Sequence, residues 1–135
     1  MKIKLIEFEK HGDERGMLVA IEQYKNIPFE IKRIYYMFDT KNNIRRGYHA
    51  HKELYQIAIP VKGACRFYLD DGLEKKEILL SDPSRGLVIE PLIWHEMYDY
   101  TDDCVLMVLA SDFYNESDYL RNHEEFLEYI KNENS

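Results

Sequence analysis

The sequence has little cysteine, little positive charge and no long hydrophobic run. Its two cysteines, Cys65 and Cys104, stand in apolar segments, which excludes a disulfide scaffold and indicates reduced core residues. Acidic residues outnumber basic ones by 25 to 18, and the formal net charge of −7 argues against nucleic acid as the partner. No apolar run is long enough to span a membrane, and the N-terminal residues do not resemble a signal peptide. We therefore expect a cytoplasmic protein that binds neither nucleic acid nor membrane.

Short β-branched and aromatic segments separated by turn signals make up most of the chain instead. There is no linker or repeat, so the 135 residues are expected to form one domain, residues 1–135. Pro60 stands near the end of one strand-like segment, which is typical of an edge strand. The almost wholly apolar segment 104–110 predicts a central strand. Strands are predicted over 17–22, 32–38, 48–52, 54–61, 64–69, 77–80, 87–90 and 104–110.

One helix is predicted, at the C-terminal end of the chain. Asn115 is suited to cap its N-terminus, and Glu116 and Asp118 suit its first turn. Many short strands followed by one helix predict an all-β jelly-roll barrel. An apolar stripe of the helix, at spacings of three and four, runs through Leu120, His123, Leu127 and Ile130.

Two histidines that flank a single alanine form the most informative motif. His49 and His51 would project from the same face of a strand, roughly 7 Å apart. His95 follows a separate strand-like segment and could join them inside a small barrel. Three convergent histidines form either a metal site or an acid–base site. Core packing explains the pair poorly because Arg46 and Lys52 frame it.

The spacing of the histidines resembles the two sequence motifs of the cupin superfamily. In metal-binding cupins, the first motif supplies two histidines and a glutamate, and the second supplies a histidine. Gln56 stands at the glutamate position, and a neutral amide is a poorer ligand for a transition metal than a carboxylate. We therefore expect no metal, although a metal-dependent enzyme remains an alternative. The matching positions are Gly47, His49, His51, Gln56, Gly63, Gly86, Pro91 and His95.

The chain is more specifically similar to one cupin family, the sugar-nucleotide 3,4-ketoisomerases. The resemblance implies a cupin jelly-roll barrel with one C-terminal helix that acts on dTDP-4-oxo-6-deoxyglucose without a metal or other cofactor. It also implies a homodimer with exchanged strands. The matching segments are IPFEIKRIYYMFD (27–39), RGYHAHK (46–52), DDG (70–72), DPSRGLVIEPLIWHEM (82–97) and CVLMVLASDFYNESDYLRN (104–122).

The chemistry of this family suits the residues present. A base removes the hydrogen on carbon 3, which the neighbouring carbonyl acidifies, and an acid returns a proton to carbon 4 of the resulting enediol. The resemblance implies that His49 is the leading acid–base residue. It implies that His51 either handles a second proton or orients His49. Tyr35 could donate a hydrogen bond to a sugar oxygen, and packing is the alternative role.

Substrate binding is expected to involve arginines in the matching segments. Arg33, Arg46 and Arg121 could bind the diphosphate, and a solvated surface position is the alternative for each. Arg15 and His95 occupy positions where members of the family with arginine and histidine resemble the branch that makes a galacto-configured product. We therefore expect dTDP-3-oxo-6-deoxy-D-galactose. A noncatalytic sugar-binding cupin is the remaining alternative, in which the histidines only form hydrogen bonds.

Overall fold

Short strands joined by tight turns pair into two five-stranded antiparallel sheets in the computed structural model, which describes residues 1–134. The strands are β1 (Lys4–Glu7), β2 (His11–Asp13), β3 (Gly16–Leu18), β4 (Arg33–Met37), β5 (Arg46–His51), β6 (Gln56–Lys62), β7 (Cys65–Asp70), β8 (Lys75–Leu80), β9 (Arg85–Ile89), β10 (Trp94–Tyr98), β11 (Val105–Ala110) and β12 (Tyr119–Leu120). The first sheet has the order β1-β9-β6-β11-β4, and the second has the order β12-β5-β10-β7-β8. Strands β2 and β3 form a separate hairpin.

The main core lies between the two sheets. Ala58, Leu87 and Leu106 from the first sheet pack with Phe67 and Leu69 from the second, and each is at most 3% exposed. Both cysteines are buried and free, as predicted. The shared core confirms the expected all-β jelly-roll with one C-terminal helix, α1 (His123–Glu133). Within residues 1–134 no helix has the length and hydropathy to cross a membrane.

Most predicted strands are confirmed, with shifted ends, but the sheets contain strands that the sequence did not indicate. The segment 17–22 is in a strand only up to Leu18, and strands β1, β2, β10 and β12 were not predicted. Pro60 lies in β6, the middle strand of its sheet, and not at an edge as expected. The pairing of β6 with β11 shifts register between Val105 and Leu106, opposite Pro60. Such a bulge accommodates a residue that has no N–H to donate.

The prediction that the helix begins after Asn115 is wrong. Asn115 caps a 3₁₀ turn (Glu116–Asp118), and the chain then forms β12, which pairs with His51 and Ala50 of β5. Asn122 caps the true helix by accepting a hydrogen bond from the Glu125 N–H. Both asparagines suit an N-cap, and the pairing of β12 with the free edge of β5 decides between them. Leu120 is consequently a buried strand residue, and Phe126 is the buried residue of the helix.

Candidate active site

A bulge in strand β5 positions the histidine pair. His49 is paired with His95 of β10 and Gly47 with Glu96, so Tyr48 is an extra residue on β5. Gly47 and Tyr48 both adopt positive φ angles, of 96° and 58°. A Cβ on Gly47 would lie 2.7 Å from the carbonyl oxygen of His95. Gly47 is therefore required by both its conformation and its contact with β10, and the bulge bends the strand next to His49.

Three histidines converge as the sequence predicted. The ring centroids of His49 and His51 are 4.9 Å apart, and those of His49 and His95 are 4.5 Å apart. The rings of His51 and His95 are 6.1 Å apart. One ring nitrogen from each histidine lies within 4.8 Å of the others. The rings of the pair are closer than the rise of the strand implies because they turn edge to face, with an interplanar angle of 85°.

Backbone carbonyls fix the tautomers of His49 and His95. Nδ1 of His49 lies 3.0 Å from the Gly47 carbonyl oxygen, and Nδ1 of His95 lies 3.1 Å from that of Ile93. Because a carbonyl only accepts, both neutral rings donate from Nδ1 and keep a lone pair on Nε2. Burial lowers the pKa of both imidazoles, most strongly for His95. Both are therefore neutral bases at physiological pH.

His51 is buried with neither ring nitrogen hydrogen-bonded. Its Nδ1 lies 3.4 Å from Oδ2 of Asp118. Burial lowers the pKa of His51 to about 3, and the positive charges of Arg33 and Arg121 contribute, as does His49 when protonated. His51 is consequently a neutral imidazole that contacts Asp118 but forms no hydrogen bond with the protein.

His49 lines a cleft with a volume of about 320 Å³. Tyr35 lines the same cleft, and its hydroxyl accepts a hydrogen bond of 2.6 Å from Nε2 of Gln56. Burial, with a smaller effect of Tyr119, raises the pKa of Tyr35 to about 12. The hydroxyl therefore keeps its proton and has it available for an oxygen atom in the cleft. The predicted residues that line the cleft are Arg33, Tyr35, Arg46, His49 and Arg121.

The three arginines of the cleft differ in how they are held. Arg121 stacks on the ring of Tyr119, with its Cζ 4.1 Å from the ring centroid, and forms two hydrogen bonds with Glu116, of 2.6 and 2.9 Å. That pairing lowers the pKa of Glu116 to about 2. Arg33 is half-buried and its Nε has no partner, whereas Arg46 is exposed. Arg33 and Arg46 therefore have donors available, and Arg121 is held beside the histidines by an exposed ion pair.

The predicted residue Arg15 does not line the cleft of its own chain. It lies in the β2–β3 hairpin, its side chain is 86% exposed, and it is bound to Asp13. Conversely, sequence reasoning missed Tyr119, whose ring lies 4.9 Å from that of His49 and 4.3 Å from that of His51. Asp118 was also missed as a neighbour of His51. Both were assigned to the start of a helix, although they fall within the segment 104–122 that matches the family.

A second cavity, of about 200 Å³, lies next to the cleft. Arg33 and Tyr119 line both cavities and so separate them, and His51 lines only the second. The other residues of the second cavity are Glu53, Leu54, Ser111, Asp112, Phe113, Asn115 and Asp118.

Comparison with known proteins identifies close relatives. A family model described as FdtA, WxcM-like, C-terminal, matches residues 1–131. The TDP-4-oxo-6-deoxy-alpha-D-glucose-3,4-oxoisomerase of Aneurinibacillus thermoaerophilus is 55% identical over 130 residues, which cover 96% of this chain and 94% of the relative. The 3,4-ketoisomerase QdtA from Thermoanaerobacterium thermosaccharolyticum, solved as an asparagine-for-histidine variant with TDP-4-keto-6-deoxyglucose, has a TM-score of 0.94 and 45% identity, covering 96% and 94% of the two chains. A 3,4-ketoisomerase from Helicobacter canadensis has a TM-score of 0.93 and 48% identity, covering 97% and 98%.

Proposed function

The chain belongs to the FdtA (WxcM-like, C-terminal) family and is a sugar-nucleotide 3,4-ketoisomerase, and from that premise we propose that it moves the keto group of dTDP-4-oxo-6-deoxy-D-glucose from carbon 4 to carbon 3. The observation that carries this proposal is the state of His49. This residue lines a cleft with three arginines and is a neutral base with its lone pair on Nε2.

We propose that His49 removes the proton from carbon 3. The electron pair of the broken C–H bond then forms an enediolate, whose negative charge is stabilised by the positive potential of Arg33 and Arg121. Tyr35, which keeps its proton, is placed to donate a hydrogen bond to a sugar oxygen. The hydroxyl oxygen on carbon 3 then loses its proton and the oxygen on carbon 4 gains one, and protonation of carbon 4 completes the isomerisation without any net loss of electrons. Each positioned acid or base typically contributes about 100- to 10,000-fold in rate.

We propose that the diphosphate binds at the arginine side of the cleft. Arg33 and Arg46 have guanidinium donors available, and a guanidinium fork matches phosphate oxygens. Arg121 is oriented by Glu116 and Tyr119 and adds positive charge at the same place. Local positive charge in a chain of net charge −7 supports an anionic ligand at this cleft.

The residues fit a catalytic metal poorly, so we derive no step through one. His49, His51 and His95 are close enough to be approached by one ion, and this is the observation in favour of a metal-dependent enzyme. However, the glutamate position of the cupin motif is held by Gln56, whose amide is bound to Tyr35. The positive charges of Arg33 and Arg121, which lower the pKa of His51, also oppose a cation.

We propose dTDP-3-oxo-6-deoxy-D-galactose as the product. His95 supports this assignment because it is buried directly against His49, where its neutral imidazole can accept or relay a proton. The role of Arg15 would require a second chain, because the hairpin that carries it does not reach the cleft of its own chain. NMR of the unreduced product tests the configuration: a large coupling constant between the protons on carbons 4 and 5 would show the gluco product instead.

We also propose a cytoplasmic homodimer with exchanged strands. Apolar residues are exposed on edge strand β4 and the neighbouring Phe38, and on strand β3. An exposed apolar surface of this kind is typical of an interface. The exposed apolar residues of this surface are Ile34 (56% exposed), Tyr36 (63%), Phe38 (59%), Met17 (65%) and Leu18 (59%). Light scattering at micromolar concentration tests the dimer, and a mass of 16.2 kDa would contradict it.

Incubation of the purified protein with dTDP-4-oxo-6-deoxyglucose tests the proposed activity. NMR should show the carbonyl carbon signal move from position 4 to position 3 as the reaction proceeds. A protein that binds the sugar nucleotide but leaves it unchanged would instead be a sugar-binding cupin.

A further inference from the structure

The second cavity, which His51 lines, lies outside the proposed substrate cleft. It is lined by polar residues, among them Glu53, Ser111 and Asp118, and its volume of about 200 Å³ has room for several water molecules. We propose that this cavity is a proton port, through which His51, positioned by Asp118, exchanges protons between solvent and His49. This inference rests on the proposed ketoisomerase activity.

The lack of protein hydrogen-bond partners at His51 calls for a functional explanation. The residue is 2% exposed and neither ring nitrogen has a hydrogen-bond partner in the protein, which is uncommon for a buried polar group. Oδ2 of Asp118 lies 3.4 Å from Nδ1. Since an ionised carboxylate only accepts, it favours the tautomer with the proton on Nδ1 and leaves Nε2 of His51 unprotonated.

Asp118 is held firmly in this position. Its carboxylate accepts hydrogen bonds from the Glu53 N–H at 2.9 Å and the Leu54 N–H at 3.3 Å. Its carbonyl oxygen accepts another from the Lys52 N–H at 2.9 Å. These contacts fasten the 3₁₀ turn to the loop that follows β5, so the carboxylate faces His51 on the side of the second cavity. The side chain of Asp118 is 16% exposed and is therefore partly accessible to solvent.

The two histidines can pass a proton between the cavities. One ring nitrogen of His49 and one of His51 lie within 4.8 Å, a separation that one bridging water spans. As the C3–H bond breaks, Nε2 of His49 gains the proton and the electron pair stays on the sugar. His51 then accepts a proton on Nε2 and releases the one on Nδ1 towards Asp118 and solvent. The low pKa of His51 means that the ring passes this proton on and does not retain it.

The proposal predicts the origin of the hydrogen at carbon 4. A proton that leaves through the port mixes with solvent, so the hydrogen delivered to carbon 4 should come mainly from water. Substrate deuterated at carbon 3 is converted in H₂O by excess enzyme, and the product is analysed by NMR after one turnover. We expect less than about one tenth of the deuterium at carbon 4. Transfer of most of the deuterium from carbon 3 to carbon 4 would overturn the proposal, and product kept in buffer without enzyme measures spontaneous exchange.

Two variants separate the contact with His51 from the general charge of the cavity. Asp118→Asn should lower kcat roughly 10- to 100-fold with little change in KM, because a misplaced group affects the reaction more than binding. It should also increase the fraction of deuterium transferred to carbon 4 several-fold. Asp112→Asn is the matched control, because Asp112 lines the same cavity but lies near Lys32 and not His51. Equal deuterium transfer in wild type and Asp118→Asn would overturn the role of Asp118.

A measurement on the ligand-free protein does not depend on turnover. Long-range ¹H–¹⁵N NMR of the imidazoles should show His51 protonated on Nδ1 in the wild type, and should show a shifted tautomer equilibrium in Asp118→Asn. A His51 protonated on Nε2 in the wild type would overturn the proposal. If the wild type showed His51 protonated on Nδ1 but made no 3-keto product, the proposed reaction would be refuted and the contact with Asp118 would stand. Should Asp118→Asn not fold, the deuterium transfer and the tautomer in the wild type decide the question.

Discussion

Strand β10 separates two kinds of histidine environment, one on each of its faces. His95 points to the face where it meets His49 and His51, and the adjacent Trp94 points to the other, where its ring lies 5.0 Å from that of His123. His123 has a strong partner, because its Nε2 lies 2.8 Å from Oδ2 of the buried Asp70. The other carboxylate oxygen of Asp70 accepts a hydrogen bond from the Gly72 N–H.

The two environments differ in which polar side-chain atoms remain free to react. The His123–Asp70 pair uses its polar atoms to fasten helix α1 to strand β7, so its role is structural. In the histidine cluster, both ring nitrogens of the buried His51 lack a hydrogen-bond partner in the protein, and this costs stability. A cluster that is destabilising and lies next to a cleft is typical of a catalytic site. The two environments differ in burial as well as in partners, because His51 is 2% exposed and the side chain of His123 is 40% exposed.

Replacement of His49 should give the largest effect. His49→Asn removes the proposed base and should lower turnover by about 100-fold or more, while the fold and the affinity for TDP stay nearly unchanged. Steady-state kinetics and calorimetric titration with TDP measure the two properties. His123→Asn is the control, and its turnover should stay within a few-fold of the wild type. Near wild-type turnover in His49→Asn would show that His51 has the principal role. If His49→Asn and His51→Asn were each active, acid–base catalysis by the pair would be disproved.

Acidification should destabilise the protein through the clustered histidines. The folded state lowers the pKa of His51 to about 3 and that of His95 well below its usual value. Unfolded histidine titrates near 6.5, so below that pH the unfolded chain binds protons that the folded chain does not. The free energy of unfolding should fall as the pH drops from about 6.5 towards 3, by up to about 1.4 kcal/mol per pH unit for each such histidine.

Urea unfolding at several pH values measures this slope. His51→Asn should show a shallower slope than the wild type, because one depressed pKa has been removed. An unchanged slope in His51→Asn would show that its imidazole is not held neutral by burial.

Removal of the His123 side chain should affect stability and leave catalysis intact. His123→Asn leaves the carboxylate of Asp70 buried without its partner, and loss of a hydrogen bond of this kind costs about 1–3 kcal/mol. Because His123 is itself partly exposed, we expect the lower half of that range. Thermal unfolding and turnover are measured on the same sample. A large loss of turnover without a loss of stability would contradict a structural role for His123 and would show that the two faces of β10 are functionally connected.

Chelation of metal ions should leave turnover unchanged, which is the smallest of the expected effects. Protein treated with EDTA should keep full turnover, and metal analysis should find no stoichiometric transition ion, because Gln56 replaces the carboxylate ligand of the cupin motif. The control is treated protein returned to buffer with each divalent metal in turn. Loss of activity that one specific metal restores would show that the three clustered histidines are ligands and not acid–base groups.

The sequence determined the elements that depend on local patterns. Alternating and apolar segments identified most strands, and the separation of His49 from His51 by one residue placed both on one strand. The segments that match the family contain the predicted residues of the histidine cluster and the cleft, among them Tyr35 and Arg33, although Tyr119 and Asp118 in the same segments were not singled out. These conclusions hold because the backbone of a strand, whatever its sequence, directs successive side chains to opposite faces.

Only the tertiary structure decided which surroundings each of these residues has. Tyr119 and Asp118 reach the histidines because β12 pairs with the edge of β5, a contact between residues about seventy positions apart that no local pattern encodes. The bulge at Gly47 depends on its register with β10, and only the structure shows that Arg15 lies on an exposed hairpin away from the cleft of its own chain. Whether a histidine has a hydrogen-bond partner in the protein, as His123 has, or lacks one, as His51 does, follows from neighbours that folding brings together. Burial then sets its pKa, because desolvation depends on the surrounding atoms and not on the residue itself.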